Sequence, residues 1–498
     1  MNVNPITRLD YPDPDVIRVE DTYYMVSTTM HFMPGCEILQ SFDLVHWEHV
    51  TYVYETLDHT DAQQLKSGHN IYGQGMWAAS LRYHEGRFCI CFVANDTRKT
   101  YLYTSEKIDG PWKKQLIEGF YHDGSLLFDE DGRNYIVYGN DEIWITELNE
   151  DLTAPKKDGL HRLLVSDHKN PELGYEGSHI QKINGYYYIF LVHSLRDRWM
   201  RTEACFYSDS LEGEFTGGDV LCDDRGYCGQ GVAQGGIVDT PDGKWYAMLF
   251  QDSGAVGRIP ILLPVTWKDH FPVFGQNGHV PEEIEVHSTR PGYIYQPLVG
   301  SDDFCNGLLP RWQFNHDPDP RYYHLDALQG TYTITTREVC TELTQAVNTL
   351  TQRMSYPSCA AEVTVDASAL KEGDVAGLCA LQGCYAAVGI TKHHGKYEVL
   401  MLDKKEDGIL DMTEGTVVES HQMDFRLEAD FCNMKDEARC YYRVNKGDWL
   451  PIGTVHKLYF KLDHFTGCRF GLFCYAAEET GGSACFRDFK YYDVDEIS

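Results

Sequence analysis

The segment Asp131-Gly132-Arg133-Asn134-Tyr135 places an acidic turn directly before an aromatic-rich strand, and the first 250 residues contain four related segments. A turn followed by such a strand, repeated every ~45–65 residues, is typical of a propeller in which each blade is one sheet. The five copies predict five blades. The other four are Asp21-Thr22-Tyr23-Tyr24, Glu85-Gly86-Arg87-Phe88, Asn184-Gly185-Tyr186-Tyr187 and Asp242-Gly243-Lys244-Trp245-Tyr246.

A second phrase, a serine followed by a short polar loop and an aromatic residue, occurs at 41–47, 105–112 and 208–215 and supports the repeat. The alternative is a large mixed β-sandwich over the same residues. A propeller has a consequence that a sandwich lacks. Its inner strands gather around one axis, so polar side chains that are distant in sequence can converge there.

Beyond residue 297 the pattern changes to short alternating strands separated by turns, which is typical of an antiparallel sandwich. Turn-forming residues between 289 and 301 mark the linker. We therefore expect an all-β chain, with a five-bladed propeller at 1–297 and a jelly-roll sandwich at 301–498. Strands are predicted in the sandwich at 330–336, 360–365, 397–402, 425–431, 457–460 and 470–475.

Composition excludes several classes of partner. The 498 residues carry 43 basic and 75 acidic side chains, a formal charge of −32. Such a charge disfavours nucleic acids and anionic membranes, which both select Lys and Arg. It favours a neutral substrate, and the 13% aromatic content suits sugar binding. The N-terminal residues lack a signal-peptide pattern and the sixteen cysteines lack paired spacing, so we expect a cytoplasmic protein.

Three acidic residues stand in turn-like contexts at strand ends: Asp13 between two prolines, Asp123 before Gly124, and Glu176 between Tyr175 and Gly177. Hydrolysis of a glycosidic bond needs two carboxyl groups on opposite sides of the sugar. The prolines stiffen the backbone that carries Asp13, which suits a base that holds one water. Each acid taken alone is a weak signal, and for Asp13 and Asp123 an ordinary turn residue is then the favoured interpretation. Their spacing, one per successive blade, makes the set informative.

These motifs, Pro12-Asp13-Pro14, His122-Asp123-Gly124-Ser125 and Tyr175-Glu176-Gly177, resemble the acidic signatures of glycoside hydrolase family 43, of β-xylosidase and α-L-arabinofuranosidase type. The C-terminal residues are similar to the concanavalin-like sandwich of its xylosidase members. The resemblance implies Asp13 as general base, Glu176 as general acid and Asp123 as the residue that tunes and orients the acid. It also implies Arg258, Phe32 and Trp77 as substrate-binding residues.

Gln234 lies where many members of the family have an axial histidine, and we expect it, together with His193, to contact substrate. An amide is a poorer metal ligand than an imidazole, so no metal or other cofactor is predicted, although a structural ion stays possible. A homo-oligomer also stays possible.

The sequence thus predicts an exo-acting, inverting hydrolase that releases arabinofuranosyl or xylosyl units from arabinoxylan-type oligosaccharides. The two catalytic carboxyl groups should lie ~6.5–9.5 Å apart, the inverting range. Two alternatives stay open: a carbohydrate-binding protein that does not catalyse, and a retaining enzyme of a related clan acting on fructosides or mannosides. We expect the sandwich to cover the pocket, although it could bind sugar separately.

Overall fold

The structure is a computed structural model that describes residues 2–413 and 415–493, so the predicted segments at residue 1 and at 494–498 lie outside it. The described residues fold almost entirely into strands, with four single-turn 3-10 segments at Lys66–Gly68, Gly254–Val256, Leu343–Gln345 and Cys432–Met434. No helix in those two ranges is long and apolar enough to cross a membrane.

Five four-stranded antiparallel sheets follow one another along the chain and form the predicted five-bladed propeller. Blade 1 contains β2, β3, β5 and β6, and blades 2 to 5 contain β7–β10, β11–β14, β15–β18 and β19–β22. A short pair, β1 with β23, lies beside them. The strands are β1 (Asn2–Val3), β2 (Asp15–Val19), β3 (Thr22–Ser27), β4 (Phe32–Met33), β5 (Gly35–Ser41), β6 (Glu48–Tyr54), β7 (Met76–His84), β8 (Arg87–Ala94), β9 (Lys99–Ser105), β10 (Lys113–Ile117), β11 (Ser125–Phe128), β12 (Asn134–Asn140), β13 (Glu142–Leu148), β14 (His161–Ser166), β15 (Glu176–Ile183), β16 (Tyr186–Ser194), β17 (Arg201–Ser208), β18 (Thr216–Leu221), β19 (Val232–Asp239), β20 (Trp245–Asp252), β21 (Arg258–Lys268), β22 (Phe271–Phe274) and β23 (Glu283–Ile284).

The repeated segments lie where the sequence predicted turns. Each connects the first and second strands of its blade, and the second phrase connects the third and fourth strands of blades 1, 2 and 4. Glu85 and Gly86 have φ of 48° and 77°, and Asn184 and Gly185 have 50° and 84°. Positive φ at both positions matches the twist of a tight hairpin, and glycine accepts it without strain.

Apolar clusters fill each of the five gaps between neighbouring blades, including the gap between blades 5 and 1, so the ring is closed. The alternating inward side chains of each sheet supply these clusters. Residues that belong to one cluster from the two sides of a gap include Val26 and Leu81, Cys91 and Leu126, Val137 and Ile180, Phe190 and Leu263, and Met248 and Met25.

The C-terminal residues form two facing antiparallel sheets, one of seven strands and one of nine. The nine-stranded sheet includes β4, a strand from the propeller part of the chain, which pairs with β24. The prediction of a strand at 457–460 was wrong beyond its first residue, since 458–460 leave the sheet. The strands are β24 (Gln313–Asn315), β25 (Tyr323–Asp326), β26 (Thr331–Thr335), β27 (Leu350–Arg353), β28 (Ser358–Asp366), β29 (Val375–Leu381), β30 (Ala386–His393), β31 (Lys396–Lys404), β32 (Leu410–Met412), β33 (Thr416–Val418), β34 (Gln422–Asp430), β35 (Glu437–Val444), β36 (Leu450–Lys457), β37 (Arg469–Tyr475) and β38 (Ser483–Asp493).

The sandwich and the propeller share buried contacts. Ala255 and Val256, beside blade 5, belong to the apolar core of the sandwich. The buried carboxylate of Asp10 accepts hydrogen bonds from the backbone nitrogen of Arg258 at 2.8 Å and from that of Gly467, in the sandwich, at 2.7 Å. These contacts hold the loop before Asp13 against both parts of the chain.

Candidate active site

A cavity of about 610 Å³ lies over one end of the propeller axis. Each blade contributes to it at or near the amino-terminal end of its first strand, because all five first strands run in the same direction around the axis. A second cavity, of about 420 Å³, lies at the opposite end of these strands. The residues of the larger cavity that the sequence predicted are Asp13, Trp77, Asp123, Glu176, Gln234 and Arg258.

Between the two cavities the axis is occupied by polar side chains. The buried carboxylate of Asp15 accepts a hydrogen bond from Arg82 Nη1 at 2.7 Å and lies 3.1 Å from His179 Nδ1. Arg82 Nη2 in turn donates to Ser125 Oγ at 2.8 Å. These contacts connect blades 1 to 4 and fix the first strands that carry the cavity residues.

Asp13 is held by contacts to both of its carboxylate oxygens. Arg258 Nη1 lies 3.1 Å from Oδ1, and Thr28 Oγ1 donates to Oδ2 at 2.6 Å. Asp13 has φ of 52°, in the left-handed region that is strained for a non-glycine residue. The contacts with Arg258 and Thr28 keep the carboxylate in place in spite of this strain. The result is a buried carboxylate with a fixed orientation on the cavity wall.

Asp123 and Glu176 lie on the opposite part of the wall with His122 between them. His122 Nε2 is 3.6 Å from Asp123 Oδ2 and 3.5 Å from Glu176 Oε2. The backbone nitrogen of Gly177 donates to Asp123 Oδ2 at 3.0 Å, and Asn140 Nδ2 donates to Glu176 Oε2 at 2.8 Å. The hydrogen bond to Gly177 connects Asp123 directly to the residue after Glu176, as an orienting role for Asp123 requires.

The protonation states follow from burial and from these charges. Burial raises the pKa of Asp123 to about 6, with a further increase from Glu176 and an opposing effect from His122. Burial lowers the pKa of His122, but the neighbouring carboxylates, that of Asp123 first, outweigh it and raise the pKa to about 9. At pH 7 the site therefore contains an Asp123 carboxylate beside a His122 imidazolium.

Gln234 packs against this acidic group. A Cβ on Gly177 would come within 2.8 Å of Gln234 Cγ, so only glycine fits there, and its φ of 66° favours glycine as well. Gln234 has φ of 65°, and its backbone nitrogen donates to Glu203 Oε2 at 2.8 Å. Glu203 is fully buried, which raises its pKa well above the usual range. The buried Glu203 side chain thus supports the irregular part of β19 that contacts Gly177.

The sandwich closes one side of the cavity. The ring of Phe465 lies 4.3 Å from the Arg258 guanidinium carbon and 5.5 Å from the ring of Trp77. Arg258 Nη2 also donates to the carbonyl oxygen of Phe465 at 3.4 Å. Phe465 belongs to the segment that follows β36 and leaves the sheet, and this segment places its ring beside Arg258 and Trp77. The sandwich residues on the wall are Met434, Phe460, Lys461, Leu462 and Phe465.

Two residues predicted to contact substrate do not line the cavity. Phe32 is buried in β4, with its ring 3.4 Å from the guanidinium carbon of Arg469 in the sandwich. His193 lies within blade 4, and its Nε2 is 2.8 Å from Asp219 Oδ1. Strand pairing explains the position of Phe32, because β4 leaves blade 1 and joins the sandwich sheet.

Arg201, Asn140 and Phe465 are cavity residues that the sequence motifs did not indicate. Arg201 is the first residue of β17, and Asn140 is the last residue of β12. In an antiparallel sheet both positions lie at the same end as the start of the first strand, so strand boundaries would have indicated them. For Phe465 the sequence offers no such signal, since it comes from the other part of the chain.

His122, Asp123 and Glu176 are also the one group among the described residues whose side chains could together hold a metal ion, with one ligand atom from each and all three atoms within 4.8 Å. A metal needs a neutral imidazole. Because the neighbouring carboxylates raise the pKa of His122 to about 9, the proton competes with a metal at neutral pH.

Comparison with known proteins identifies the family. Residues 3–272 match the model of glycosyl hydrolases family 43, and residues 301–492 match the beta xylosidase C-terminal concanavalin A-like domain. A protein named beta-xylosidase from Formosa agariphila is 26% identical over 99% of this chain and 89% of its own. Xylosidase/arabinosidase 43B of Humicola insolens is 25% identical over 98% and 96%.

Solved structures agree with the sequence relatives. A protein described as a bifunctional GH43-CE of Bacteroides eggerthii is 42% identical, with a TM-score of 0.93 over 100% of this chain. This chain spans 64% of the length of that one. The family match covers more than half of the chain and includes Asp13, Asp123 and Glu176. The chain belongs to family 43 of the glycosyl hydrolases.

Proposed function

We propose that this chain is an exo-acting, inverting glycoside hydrolase that releases α-L-arabinofuranosyl or β-D-xylosyl units from arabinoxylan-type oligosaccharides. The observation that carries the proposal is the convergence of Asp13, Asp123 and Glu176, from three different blades, on one cavity. The names of the relatives, which include both xylosidase and arabinosidase, support the choice of a pentose.

In this reaction Asp13 takes a proton from the attacking water while Glu176 gives one to the leaving oxygen. Arg258 and Thr28 fix the orientation of the Asp13 carboxyl group, so its free lone pairs can hold that water. The Asp123 carboxylate orients Glu176 through the hydrogen bond from Gly177, and the His122 imidazolium balances the negative charge of the group. Exo action is supported by the sandwich residues on one side of the cavity, which leave room for a chain end.

The proposal is tested with xylobiose and arabinosyl-xylobiose as substrates, and with NMR of the first sugar released. We expect one pentose per turnover, with its anomeric configuration inverted. Retention would instead require catalytic carboxyl groups ~5–5.5 Å apart and would support the retaining alternative. Binding of both sugars without turnover would support the non-catalytic carbohydrate-binding protein.

Activity should fall as the pH falls through about 6. Burial raises the pKa of Asp123 to about 6, so below this pH Asp123 becomes protonated and loses the negative charge that faces His122 and accepts the hydrogen bond of Gly177, next to Glu176. A pH profile of kcat/KM should fall by about tenfold per pH unit on this acid side. Asp123→Asn should remove that limb and lower kcat/KM at pH 7 by roughly 10²-fold. If the acid side of the pH profile is unchanged in Asp123→Asn, titration of Asp123 is not the cause of the fall in activity.

Phe465→Ala should raise KM by about tenfold and change kcat less, because the ring covers Arg258 and closes the cavity. Phe465→Leu, which keeps apolar bulk without the aromatic face, should give an intermediate KM. Steady-state kinetics on arabinosyl-xylobiose and xylobiose measure both, with thermal unfolding as the folding control. A point substitution is a better test than deletion of residues 301–498. Ala255 and Val256 of the propeller part are buried in the sandwich core, so the deletion would expose them. Full activity of Phe465→Ala would contradict a covering role for the sandwich.

We further propose a reducing, cytoplasmic setting. All sixteen cysteines are free thiols, and most are buried, as structural cysteines are in a reducing compartment. Cell fractionation with an antibody against the chain measures this directly. Recovery of the protein outside the cytoplasm would contradict it.

A further inference from the structure

Trp199 is an exposed tryptophan on the wall of the catalytic cavity. It lies in the connection between β16 and β17, and 43% of its surface is accessible. An indole of this size exposes a broad apolar face, which a soluble protein usually buries unless the face binds something. The position is one that neither the sequence motifs nor the proposed catalytic roles explain.

The Trp199 ring packs against a buried side chain. The guanidinium carbon of Arg201 lies 5.2 Å from the Trp199 ring and 5.2 Å from the ring of Phe250. Arg201 is only 7% exposed, and its Nε donates to Asp252 Oδ2 at 2.9 Å. A buried, ion-paired arginine between two aromatic rings limits the orientations available to the indole, which lies on the cavity wall.

The side of the cavity on which Trp199 lies indicates which sugar it would meet. Glu176 pairs with Val192 of β16, and Val192 pairs with Glu203 of β17, so the connection bearing Trp199 extends past the end of the blade that carries the acid. The acid protonates the oxygen of the leaving group, which therefore departs on the acid's side. Asp13, on blade 1, serves the opposite face of the sugar.

We propose that Trp199 is the platform on which the leaving sugar, a xylose unit of the oligosaccharide, stacks during cleavage, with Arg201 holding the ring in place. The inference rests on the proposed function and adds a determinant of specificity for the leaving-group side. A pentopyranose offers an apolar face of C–H groups that matches an indole, whereas a methyl leaving group offers none. Trp199 should thus discriminate between substrates by the size and shape of their leaving groups.

The test compares substrates that differ only on that side: xylobiose with methyl β-D-xyloside, and arabinosyl-xylobiose with methyl α-L-arabinofuranoside. In Trp199→Ala we expect kcat/KM for the oligosaccharide to fall by about tenfold or more, and that for the matching methyl glycoside to change by less than about twofold. Trp199→Phe, which keeps an aromatic face, should recover most of the loss. Tyr83→Ala is the matched control, since Tyr83 is similarly exposed (45%) and lies outside this cavity.

The outcomes separate the inference from the proposed function. If the unmodified protein cleaves none of the four substrates, the proposed function fails. If it cleaves them and Trp199→Ala keeps the original ratio between oligosaccharide and methyl glycoside, the stacking role fails while the function stands. An equal loss on both substrates also overturns the stacking role, because it would mean that Trp199 supports the cavity as a whole.

Discussion

Asp13→Asn is expected to lower kcat/KM by roughly 10²-fold to 10⁴-fold on every substrate, whatever its leaving group. An amide cannot take the proton of the attacking water, and water attack is needed in each case. The substitution keeps the size of the side chain and its contact with Thr28, but it removes the negative charge that pairs with Arg258 at 3.1 Å. KM should change less than kcat, since the wall of the cavity keeps its shape.

The matched control for this variant is Asp21→Asn. Asp21 lies in the same blade, is partly exposed and pairs with Arg290 away from the cavity. It should retain full activity. If Asp13→Asn kept more than about a tenth of the activity, the assignment of Asp13 as general base would be wrong.

Glu176→Gln should produce a loss that depends on the leaving group. With xylobiose, kcat/KM should fall by roughly 10²-fold to 10⁴-fold, because the sugar oxygen needs a proton to depart. With a dinitrophenyl glycoside the loss should be much smaller, since that group departs as a stable anion. The amide keeps an oxygen that accepts the hydrogen bond of Asn140, so the geometry of the wall is preserved.

A series of aryl glycosides of increasing leaving-group pKa measures this dependence. The slope of log kcat/KM against that pKa should be much steeper in Glu176→Gln than in the unmodified enzyme. Glu130→Gln, at an exposed glutamate outside the cavity, supplies the control and should behave like the unmodified protein. Equal losses on good and poor leaving groups would assign Glu176 a role other than proton donation.

Much of the propeller could be predicted from local sequence. The five acidic or amide turns lie at the hairpins between first and second strands. In blades 2 and 4 they are two-residue turns with positive φ at both positions, and in blades 3 and 5 they are longer turns with a single glycine of positive φ. The predicted strand at 457–460 did not extend past Lys457. The apolar residues after Lys457 contribute to the cavity wall instead of to a sheet. A short apolar run in the sequence does not distinguish these two positions.

Part of the site could be predicted in the same way. Asp13, Asp123 and Glu176 each stand at or just before the start of a first strand, and all first strands begin at the same end of the ring. They belong to blades 1, 3 and 4, so the prediction of one acid per successive blade was wrong between Asp13 and Asp123, where blade 2 intervenes. Phe32 and His193 were also predicted as substrate contacts, but the structure places neither on the cavity wall. Their surroundings depend on strand pairing and on ion pairs between distant segments, which a residue's neighbours in sequence do not specify.

The sequence by itself determined the architecture of repeated hairpins and the three acids, since turn chemistry and strand periodicity act over a few residues. Only the tertiary structure decided how the cavity is closed and charged. Phe465 covers Arg258, and Trp199 stands on Arg201, through contacts between segments that chain folding brings together. The raised pKa of Asp123 has the same origin, because burial and the charges of Glu176 and Asp13 exist only once the blades surround one axis.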